Sequence, residues 1–197
     1  MNFTHIENNL LCLDLDETLV SSLYANNEKH ADQLIDIYSQ YWEGVKFSLF
    51  EGECGWDLGR DYWYVSFLRK WSKELIQYFQ LTLGIENVCI VSWGTQRYVL
   101  DVVKRFDLNI PPSNIYGRED LGSNVPRLRN KNIVLLDNEN YEYHRSGLLN
   151  KVNFLDGLER DKLVQVTNFD VRYFQEGLDI TLDELIKKIE NAFKISL

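Results

Sequence analysis

The chain has 197 residues, of which 45% are hydrophobic and 13% aromatic, and its net charge is -9. This length predicts one domain over residues 1–197, with a sizeable core and room for a small inserted cap. No apolar run approaches the roughly 20 residues of a membrane-spanning helix, and the acidity argues against long nucleic acid as a partner. Residues 1–9 lack a basic start followed by an apolar block, so we expect no secretory signal. Three cysteines without metal-ligand spacing are typical of reduced thiols, and we expect a cytoplasmic protein with no membrane partner.

Short apolar runs and helical patterns alternate along the chain. Strands are predicted at residues 10–13, 88–91 and 133–136, and more weakly at 152–155 and 163–166. Helices are predicted within residues 66–84, in 95–108 with Thr95 as the N-cap, and after the capping box TLDE at 181–184. This order predicts an α/β fold, a doubly wound parallel sheet with helices on its faces.

Residues 21–64 interrupt the alternation. Their periodicity is mixed and they are rich in acidic and aromatic side chains, which predicts a helix-plus-hairpin, cap-like insertion after the first strand. The aromatic side chains either form a small core of the insertion or contact substrate as a lid, and the two roles can apply to different residues. These residues are Tyr24, Tyr38, Tyr41, Trp42, Phe47, Phe50, Trp56, Tyr62, Trp63 and Tyr64.

Polar side chains directly follow the three strongest predicted strands. They are Asp14, Ser92 and Asp137. Ligands of open parallel sheets bind beyond the carboxyl ends of the strands, so these side chains converge if the strands are neighbours. Two carboxylates and a hydroxyl then make a candidate catalytic site. The alternatives are local: Asp14 and Asp16 cap a turn, Ser92 is an ordinary strand-end hydroxyl, and Asp137 with Asn138 forms a simple turn.

Three motifs, in order, resemble the haloacid dehalogenase (HAD) superfamily. DLDETL, starting at Asp14, has the DxDxT form of its aspartate-nucleophile phosphatases and phosphotransferases. VSWGTQRYVLDVVKRFDL and NIVLLDNENY resemble the second and fourth motifs of the branch that includes the RNA polymerase II C-terminal-domain phosphatases. The segment from Val166 is loosely similar to the closing loop and helix of that branch, whereas residues 21–64 are longer than the branch implies. The resemblance implies a HAD-like, Rossmannoid fold with a small cap after the first strand.

The resemblance also implies a role for the acidic residues. Asp14 would attack phosphorus and form an aspartyl-phosphate, while Asp16 would protonate the leaving oxygen and then deprotonate the attacking water. Mg²⁺ would offset the repulsion between carboxylate and phosphate. Its protein ligands would be the Asp14 carboxylate, the Asp16 backbone carbonyl, and Asp137 or Asn138.

Phosphate binding is expected from the second motif. Ser92 would donate to a phosphate oxygen, helped by backbone N–H groups around Trp93 and Gly94 at a helix N-terminus. Thr18 would fix the loop of the first motif and Asp16; the alternative is that it is a plain helix N-cap.

The superfamily also needs a lysine or arginine that holds the phosphate and the nucleophile together. The related branch has Lys-Asp-Leu before the fourth motif, where this chain reads REDL from Arg118. We favour Arg118 and then Lys131, with Arg127 and Arg129 as further candidates. His144, just after the fourth motif, is expected on a surface loop; the alternative is that it approaches the crevice.

Together these patterns predict a Mg²⁺-dependent phosphomonoester phosphatase, a hydrolase that acts on a phosphoprotein or a small phosphate ester. One alternative is a binding or scaffold protein of this fold that has lost turnover, which the irregular third motif favours. Another is a phosphotransferase that passes the phosphoryl group to an alcohol rather than to water. The sequence does not give the oligomeric state.

Overall fold

The computed structural model describes residues 8–39, 47–53, 61–121, 125, 128–145, 151–155, 157–173 and 175–194. The strands are β1 (Asn9–Leu13), β2 (Val20–Ala25), β3 (Phe47–Glu53), β4 (Asp61–Leu68), β5 (Val88–Val91), β6 (Ile115–Tyr116), β7 (Asn132–Asp137) and β8 (Leu163–Gln165). The helices are α1 (Glu28–Ser39), α2 (Ser72–Leu83), α3 (Gln96–Phe106), α4 (Tyr141–Arg145), α5 (Lys151–Phe154) and α6 (Leu182–Lys194).

The larger sheet is parallel and has the strand order β6-β5-β1-β7-β8. β1 is central, because Leu13 pairs with Ile90 of β5 on one side and with Leu136 of β7 on the other. β5 is fully apolar and β1 is apolar after Asn9, which suits strands that are buried on both faces. The predicted α/β class and its parallel sheet are therefore confirmed.

Successive residues of β1 pack on opposite faces of the sheet. Leu11 and Leu13 belong to the largest apolar cluster, which includes buried residues of α2, α3 and α6. Leu10 and Cys12 belong to a second cluster on the other face, which includes Phe154 of α5. This alternation follows from the two-residue period of a strand, and it fixes the sheet between two apolar layers.

Two helix starts follow their predicted caps. The Thr95 hydroxyl accepts a hydrogen bond from the Tyr98 N–H at 3.3 Å and caps α3. At α6, Thr181 and Glu184 form a reciprocal capping box, in which each side chain accepts the other residue's backbone N–H. Among the described residues, no helix has the length and apolar character needed to cross a membrane.

One predicted strand is wrong, and one predicted helix begins later than its apolar pattern suggests. Residues 152–155 are predicted as a strand, but α5 begins at Lys151 and includes most of this run. The predicted helix within 66–84 begins only at Ser72, because residues 66–68 complete β4. It does stop at Gly84, where a φ of 94° suits glycine. Both errors have one cause: a short apolar run fits a buried strand and a helix face equally well.

A second sheet lies within and just beyond residues 21–64. Its three antiparallel strands have the order β2-β4-β3. Helix α1 and the β3–β4 hairpin agree with the predicted helix and hairpin, whereas β2 is an additional strand that the sequence pattern did not reveal. A small apolar core joins Leu23 and Phe67 to Phe169, with Tyr38 packed against it. The predictions for Tyr41, Trp42 and Trp56 concern residues outside the described ones, and the lid function stays a prediction.

Two cysteines are buried in the larger sheet. Cys12 of β1 and Cys89 of β5 are free thiols with their sulfur atoms 3.2 Å apart. Burial raises the pKa of the Cys12 thiol well above its usual value, so the thiol stays protonated. Both residues are thus free, as expected of reduced thiols, while Cys54 lies outside the described residues.

Candidate active site

The carboxyl ends of three neighbouring strands carry the predicted site residues. Asp14, Ser92 and Asp137 follow or end β1, β5 and β7, and each is at least 95% buried. The backbone N–H of Asp14 donates to the Leu136 carbonyl at 2.9 Å, so the chain leaves β1 beside the end of β7. The strand order therefore brings these three side chains to one edge of the sheet.

A buried lysine lies between the two carboxylates. Lys151 Nζ donates to Asp14 Oδ1 and, at 2.8 Å, to Asp137 Oδ2. The lysine is 2% exposed. It is the first residue of α5, and this helix is anchored in the second apolar cluster by the buried Phe154. A lysine or arginine near Asp14 was expected from the segment before the fourth motif. The lysine that contacts Asp14 instead comes from the segment after that motif.

Burial and neighbouring charges have opposing effects on the pKa of the Asp14 carboxyl. Burial raises its pKa to about 7, the negative charge of Asp137 adds to this, and Lys151 opposes both. Asp137 behaves differently: burial alone would raise its pKa, but the Lys151 charge and contacts with His144 outweigh burial and hold the pKa at about 2. Burial would lower the pKa of Lys151, but the two carboxylates raise it above its usual value. The site thus holds a permanent ammonium, one firmly ionised carboxylate and one that titrates near neutrality.

His144 supports the Asp137 carboxylate from α4. Its Nε2 lies 3.1 Å from Asp137 Oδ2, and the residue is fully buried. The Glu139 N–H donates to the other oxygen of Asp137 at 2.8 Å. The expectation of His144 on a surface loop is wrong, because its position after the fourth motif turns it back onto that motif's aspartate. The Lys151 ammonium, the His144 ring and the Glu139 N–H thus orient the Asp137 carboxylate.

Asp16 lies beside the second motif. The Tyr98 hydroxyl donates to Asp16 Oδ1 at 2.5 Å, and the Ser92 hydroxyl donates to Oδ2 at 3.4 Å. Burial raises the pKa of Asp16, while the hydrogen bond from Tyr98 opposes this rise. Asp16 is therefore a carboxyl of raised proton affinity adjacent to the buried Asp14, which suits an acid or base.

Thr18 joins the first and fourth motifs. Its hydroxyl donates to Asn138 Oδ1 at 3.0 Å and accepts from the Asn138 N–H at 2.9 Å. Thr18 lies in a turn rather than at a helix start, so the N-cap alternative does not apply. The paired contact holds the loop after β1 against the end of β7.

A buried arginine fixes the same loop from the other side. Arg69 Nη1 donates to the carbonyls of Thr18 at 3.1 Å and Thr167 at 2.9 Å, and its Nε donates to Asp179 at 3.0 Å. Its guanidinium carbon lies 4.6 Å from the centroid of the Trp71 ring. Arg69 is 1% exposed, so these contacts satisfy a charge that burial would otherwise make costly.

The Ser92–Gly94 turn has its own hydrogen bonds. The Gly94 N–H donates to the Ser92 hydroxyl at 3.0 Å, and the Gly94 carbonyl accepts from the Arg118 N–H at 2.8 Å. A Cβ at Gly94 would lie 2.6 Å from the ring of Tyr98, so this close approach requires glycine. The half-buried Trp93 packs against the second apolar cluster. Phosphate binding by this turn remains a prediction, and it needs the Ser92 hydroxyl to exchange its present partner.

The other predicted cations have separate positions. The backbone of Arg118 lies beside Gly94, on the side of the sheet where the site is. Lys131 precedes β7, and its Nζ donates to Asn87 at 3.3 Å, at the opposite end of the strands from Asp137. The structure does not bring Lys131 to the site, because the full length of β7 separates them. Arg129 is exposed near Lys131, and Arg127 lies outside the described residues.

The donors at this edge are chemically suited to Mg²⁺. Burial is the main cause of the raised pKa of Asp14, and repulsion by the Asp137 carboxylate adds to it; a divalent cation would relieve this repulsion. Within the described residues, no three His, Cys, Asp or Glu side chains form a larger metal-binding cluster. Mg²⁺ needs no such cluster, because it takes one or two protein carboxylates and completes its shell with water and substrate oxygens.

Comparison with solved structures identifies the fold. The structure of Fcp1, an essential RNA polymerase II CTD phosphatase, matches with a TM-score of 0.58 at 16% identity over 98% of this chain and 51% of that one. The chain has the fold of Fcp1. A structure of fission yeast Fcp1-R271A bound to beryllium fluoride matches equally well, at 15% identity over 98% of this chain and 52% of that one. This chain thus spans about half the length of the Fcp1 chains.

The match to Fcp1 confirms, at the level of fold, the HAD-like architecture that the three motifs imply. No protein-family model and no curated protein matches the sequence. Within this Fcp1-like fold, sequence reasoning missed Lys151 and Tyr98, and it gave the approach of His144 to the site only as the less favoured alternative. Only Tyr98 carried a usable signal, since it lies one helical turn after Gly94 and so faces the strand end that carries Ser92.

Proposed function

We propose that this protein is a Mg²⁺-dependent phosphomonoester phosphatase that works through an aspartyl-phosphate on Asp14. The observation that carries the proposal is the buried Asp14–Lys151–Asp137 arrangement at the carboxyl edge of the sheet. A lysine paired with the attacking carboxylate can also reach a phosphate bound to it. The fold shared with Fcp1 supports a phosphatase-type function.

The chemistry divides between the two aspartates. An Asp14 oxygen attacks phosphorus as the bond to the leaving oxygen breaks, and Asp16 gives that oxygen its proton. A water molecule then attacks phosphorus and gives a proton to Asp16. The bond between Asp14 and phosphorus breaks, so that phosphate leaves and the Asp14 carboxylate is restored. General acid and base catalysis by Asp16 contributes about 10² to 10⁴ in rate.

Lys151 and the metal share the charge. The Lys151 ammonium holds the Asp14 carboxylate in place and neutralises the charge of the phosphate oxygens as they approach. Asp137 in turn holds the ammonium in place. Mg²⁺ would be held by the Asp14 carboxylate, the Asp16 carbonyl, and Asp137 or Asn138. When bound, it supplies charge neutralisation to the phosphoryl oxygens.

Two substrate classes fit the proposal. The fold shared with a CTD phosphatase supports a phosphoprotein. The insertion at residues 21–64 supports a small phosphate ester, if that segment acts as a cap over the site. A cytoplasmic location and the absence of a membrane partner belong to the same proposal.

Turnover of para-nitrophenyl phosphate tests the function. We expect activity with Mg²⁺ and none with EDTA. Asp14→Asn should fall to background, and Lys151→Met should lose about 10²- to 10³-fold in kcat, because it removes a fixed charge that stabilises the transition state. Rates are measured on folded, purified protein by release of para-nitrophenolate.

The matched control is Lys131→Met, the same substitution at the lysine that contacts Asn87 away from the site. Its rate should stay within about twofold of wild type. Metal-independent activity that survives in Asp14→Asn contradicts the proposal. A folded wild-type protein that binds phosphate without turnover identifies a binding protein instead.

A further inference from the structure

A line of hydroxyl groups leads from Asp16 into the second sheet. Tyr98 Oη lies 2.5 Å from Asp16 Oδ1 and 2.8 Å from the Ser22 hydroxyl. The Ser22 hydroxyl is in turn 2.7 Å from that of Ser66. Ser22 and Ser66 face each other across β2 and β4. Hydrogen bonds therefore connect the Asp16 carboxyl to the antiparallel sheet, which is separate from the parallel one.

The Tyr98 hydroxyl is held from several elements. Its backbone is fixed at the first turn of α3 by the Thr95 cap. Its ring lies against Gly94 and packs at 6.1 Å from the Tyr64 ring of β4. Burial and the Asp16 charge raise the pKa of Tyr98 well above its usual value, so it remains a neutral donor. A rigid, neutral donor is suited to fixing the orientation of a carboxylate.

The direction of the hydrogen bonds follows from the chemistry of the groups. Asp16 Oδ1 accepts a hydrogen bond whether the carboxyl is ionised or protonated on Oδ2, so the Tyr98 O–H donates to it in both states. The Tyr98 oxygen then accepts from Ser22, and Ser22 accepts from Ser66. Each bond polarises the next, which strengthens the contact to Asp16.

We propose that Tyr98 is a positioning residue that anchors Asp16 Oδ1 and leaves Oδ2 as the oxygen that exchanges the proton with the leaving group and with water. This rests on the proposed phosphatase function. Oδ1 accepts from Tyr98 at 2.5 Å, whereas the hydrogen bond that Oδ2 accepts from Ser92, among the described residues, is longer at 3.4 Å. In the first step, the Oδ2 proton passes to the leaving oxygen as its bond to phosphorus breaks. In the second, water gives a proton back to Oδ2 as its oxygen bonds to phosphorus and the Asp14–phosphorus bond breaks.

Leaving groups of different basicity test this role. Para-nitrophenolate leaves without a proton, whereas phenolate is more basic and needs the general acid. Tyr98→Phe should lower kcat/KM for phenyl phosphate about 10-fold or more, and for para-nitrophenyl phosphate less than about threefold. The ratio kcat/KM is used because it reports the steps up to the aspartyl-phosphate. Tyr98→Phe should also show a burst of para-nitrophenolate. The first step is fast with this substrate, whereas hydrolysis of the aspartyl-phosphate needs Asp16 for both substrates and becomes the slow step.

The control is Tyr78→Phe, the same change at an exposed tyrosine whose hydroxyl bonds Glu190 at 2.8 Å. It should leave both kcat/KM values unchanged. In an Asp16→Asn background, Tyr98→Phe should have no further effect on either substrate, because the two residues act as one unit. If Tyr98→Phe does not fold, Ser22→Ala replaces it and should give a smaller loss with the same selectivity.

Each outcome decides the matter. Selective loss on phenyl phosphate supports the proposal. Equal loss on both substrates, or no loss in folded Tyr98→Phe and Ser22→Ala, overturns the role of Tyr98 while the phosphatase function stands. If the wild-type protein turns over neither substrate with Mg²⁺, the phosphatase function fails and the role of Tyr98 falls with it.

Discussion

Asp14 shows how burial and charge act on one residue. Its carboxyl is 4% exposed, shares Lys151 with Asp137, and has a pKa near 7. Even with Lys151 beside it, this carboxyl is partly protonated at neutral pH, and a metal ion would stabilise its ionised form. The same charge that serves the proposed reaction therefore destabilises the folded, metal-free protein.

This residue makes stability depend on pH. The Asp14 pKa is raised from 3.8 to about 7, so the folded protein holds a proton that the unfolded chain releases near its ordinary pKa. Stability from this group is present below 3.8 and is lost as pH rises through about 7. In EDTA, Asp14→Asn should therefore have a Tm a few degrees above wild type at about pH 8, and the gap should shrink at about pH 5.

Calorimetry in EDTA at both pH values measures this difference. The matched control is Asp32→Asn, the same substitution at an exposed position of α1, which should leave Tm nearly unchanged. A destabilised Asp14→Asn at the higher pH would mean that the Asp14 charge is fully compensated by Lys151 alone.

Lys151 marks the limit of prediction at this scale. Its carboxylate partners are 137 and 14 residues away, and no local pattern distinguishes it from a solvated lysine. The positions of Asp14, Ser92 and Asp137 were predictable because each directly follows an apolar run, and the two carboxylates are costly to bury unless a cation compensates them. A cation that compensates that charge has no comparable signature, since lysines are common on every surface.

At the scale of elements, local rules worked where they determine the backbone alone. The starts of α3 and α6 followed from Thr95 and Thr181, whose hydroxyls cap the first turn. Rules based on apolar runs predicted the central strands β1, β5 and β7 but failed for α5. Its four residues fit a strand or a helix equally well. The failure matters, because this short helix carries Lys151 into the site.

The capping box gives a prediction for α6. Thr181→Ala removes the acceptor for the Glu184 N–H and the partner of the Glu184 carboxylate, and should lower the free energy of unfolding by about 1 kcal/mol. Hydrogen bonds from Thr181 lower the pKa of Glu184, so this stabilisation is present above the ordinary pKa of glutamate and weakens as pH falls through the lowered one.

Urea unfolding at neutral pH measures the change. The control is Thr82→Ala in α2, where the hydroxyl bonds the Tyr78 carbonyl within the helix and caps nothing. It should be neutral or slightly stabilising, because alanine is the better helix former. An equal loss in both variants would show that the Thr181 effect is not a capping effect.

Across the whole molecule, the candidate site lies where two sheets meet. The parallel sheet supplies Asp14 and Asp137, while Arg69, directly after β4, binds the carbonyl of Thr18 at 3.1 Å. The sequence predicted that the ends of β1, β5 and β7 converge if these strands are neighbours, and the observed order makes them neighbours. The second sheet could not be anticipated, because mixed periodicity in residues 21–64 does not show that β2 pairs with β4. Contacts between distant segments, rather than local propensity, decide how that region packs.

Formation of a beryllium fluoride adduct on Asp14 tests the central claim most directly. This complex mimics a phosphoryl group bonded to a carboxylate, so it reports the nucleophile without requiring the right substrate. With Mg²⁺, fluorine NMR of the wild-type protein should show bound fluoride signals that persist in Lys131→Met and disappear in Asp14→Asn and in EDTA. Bound signals of equal intensity in folded Asp14→Asn, or none in the folded wild-type protein, would contradict an attacking carboxylate at this position.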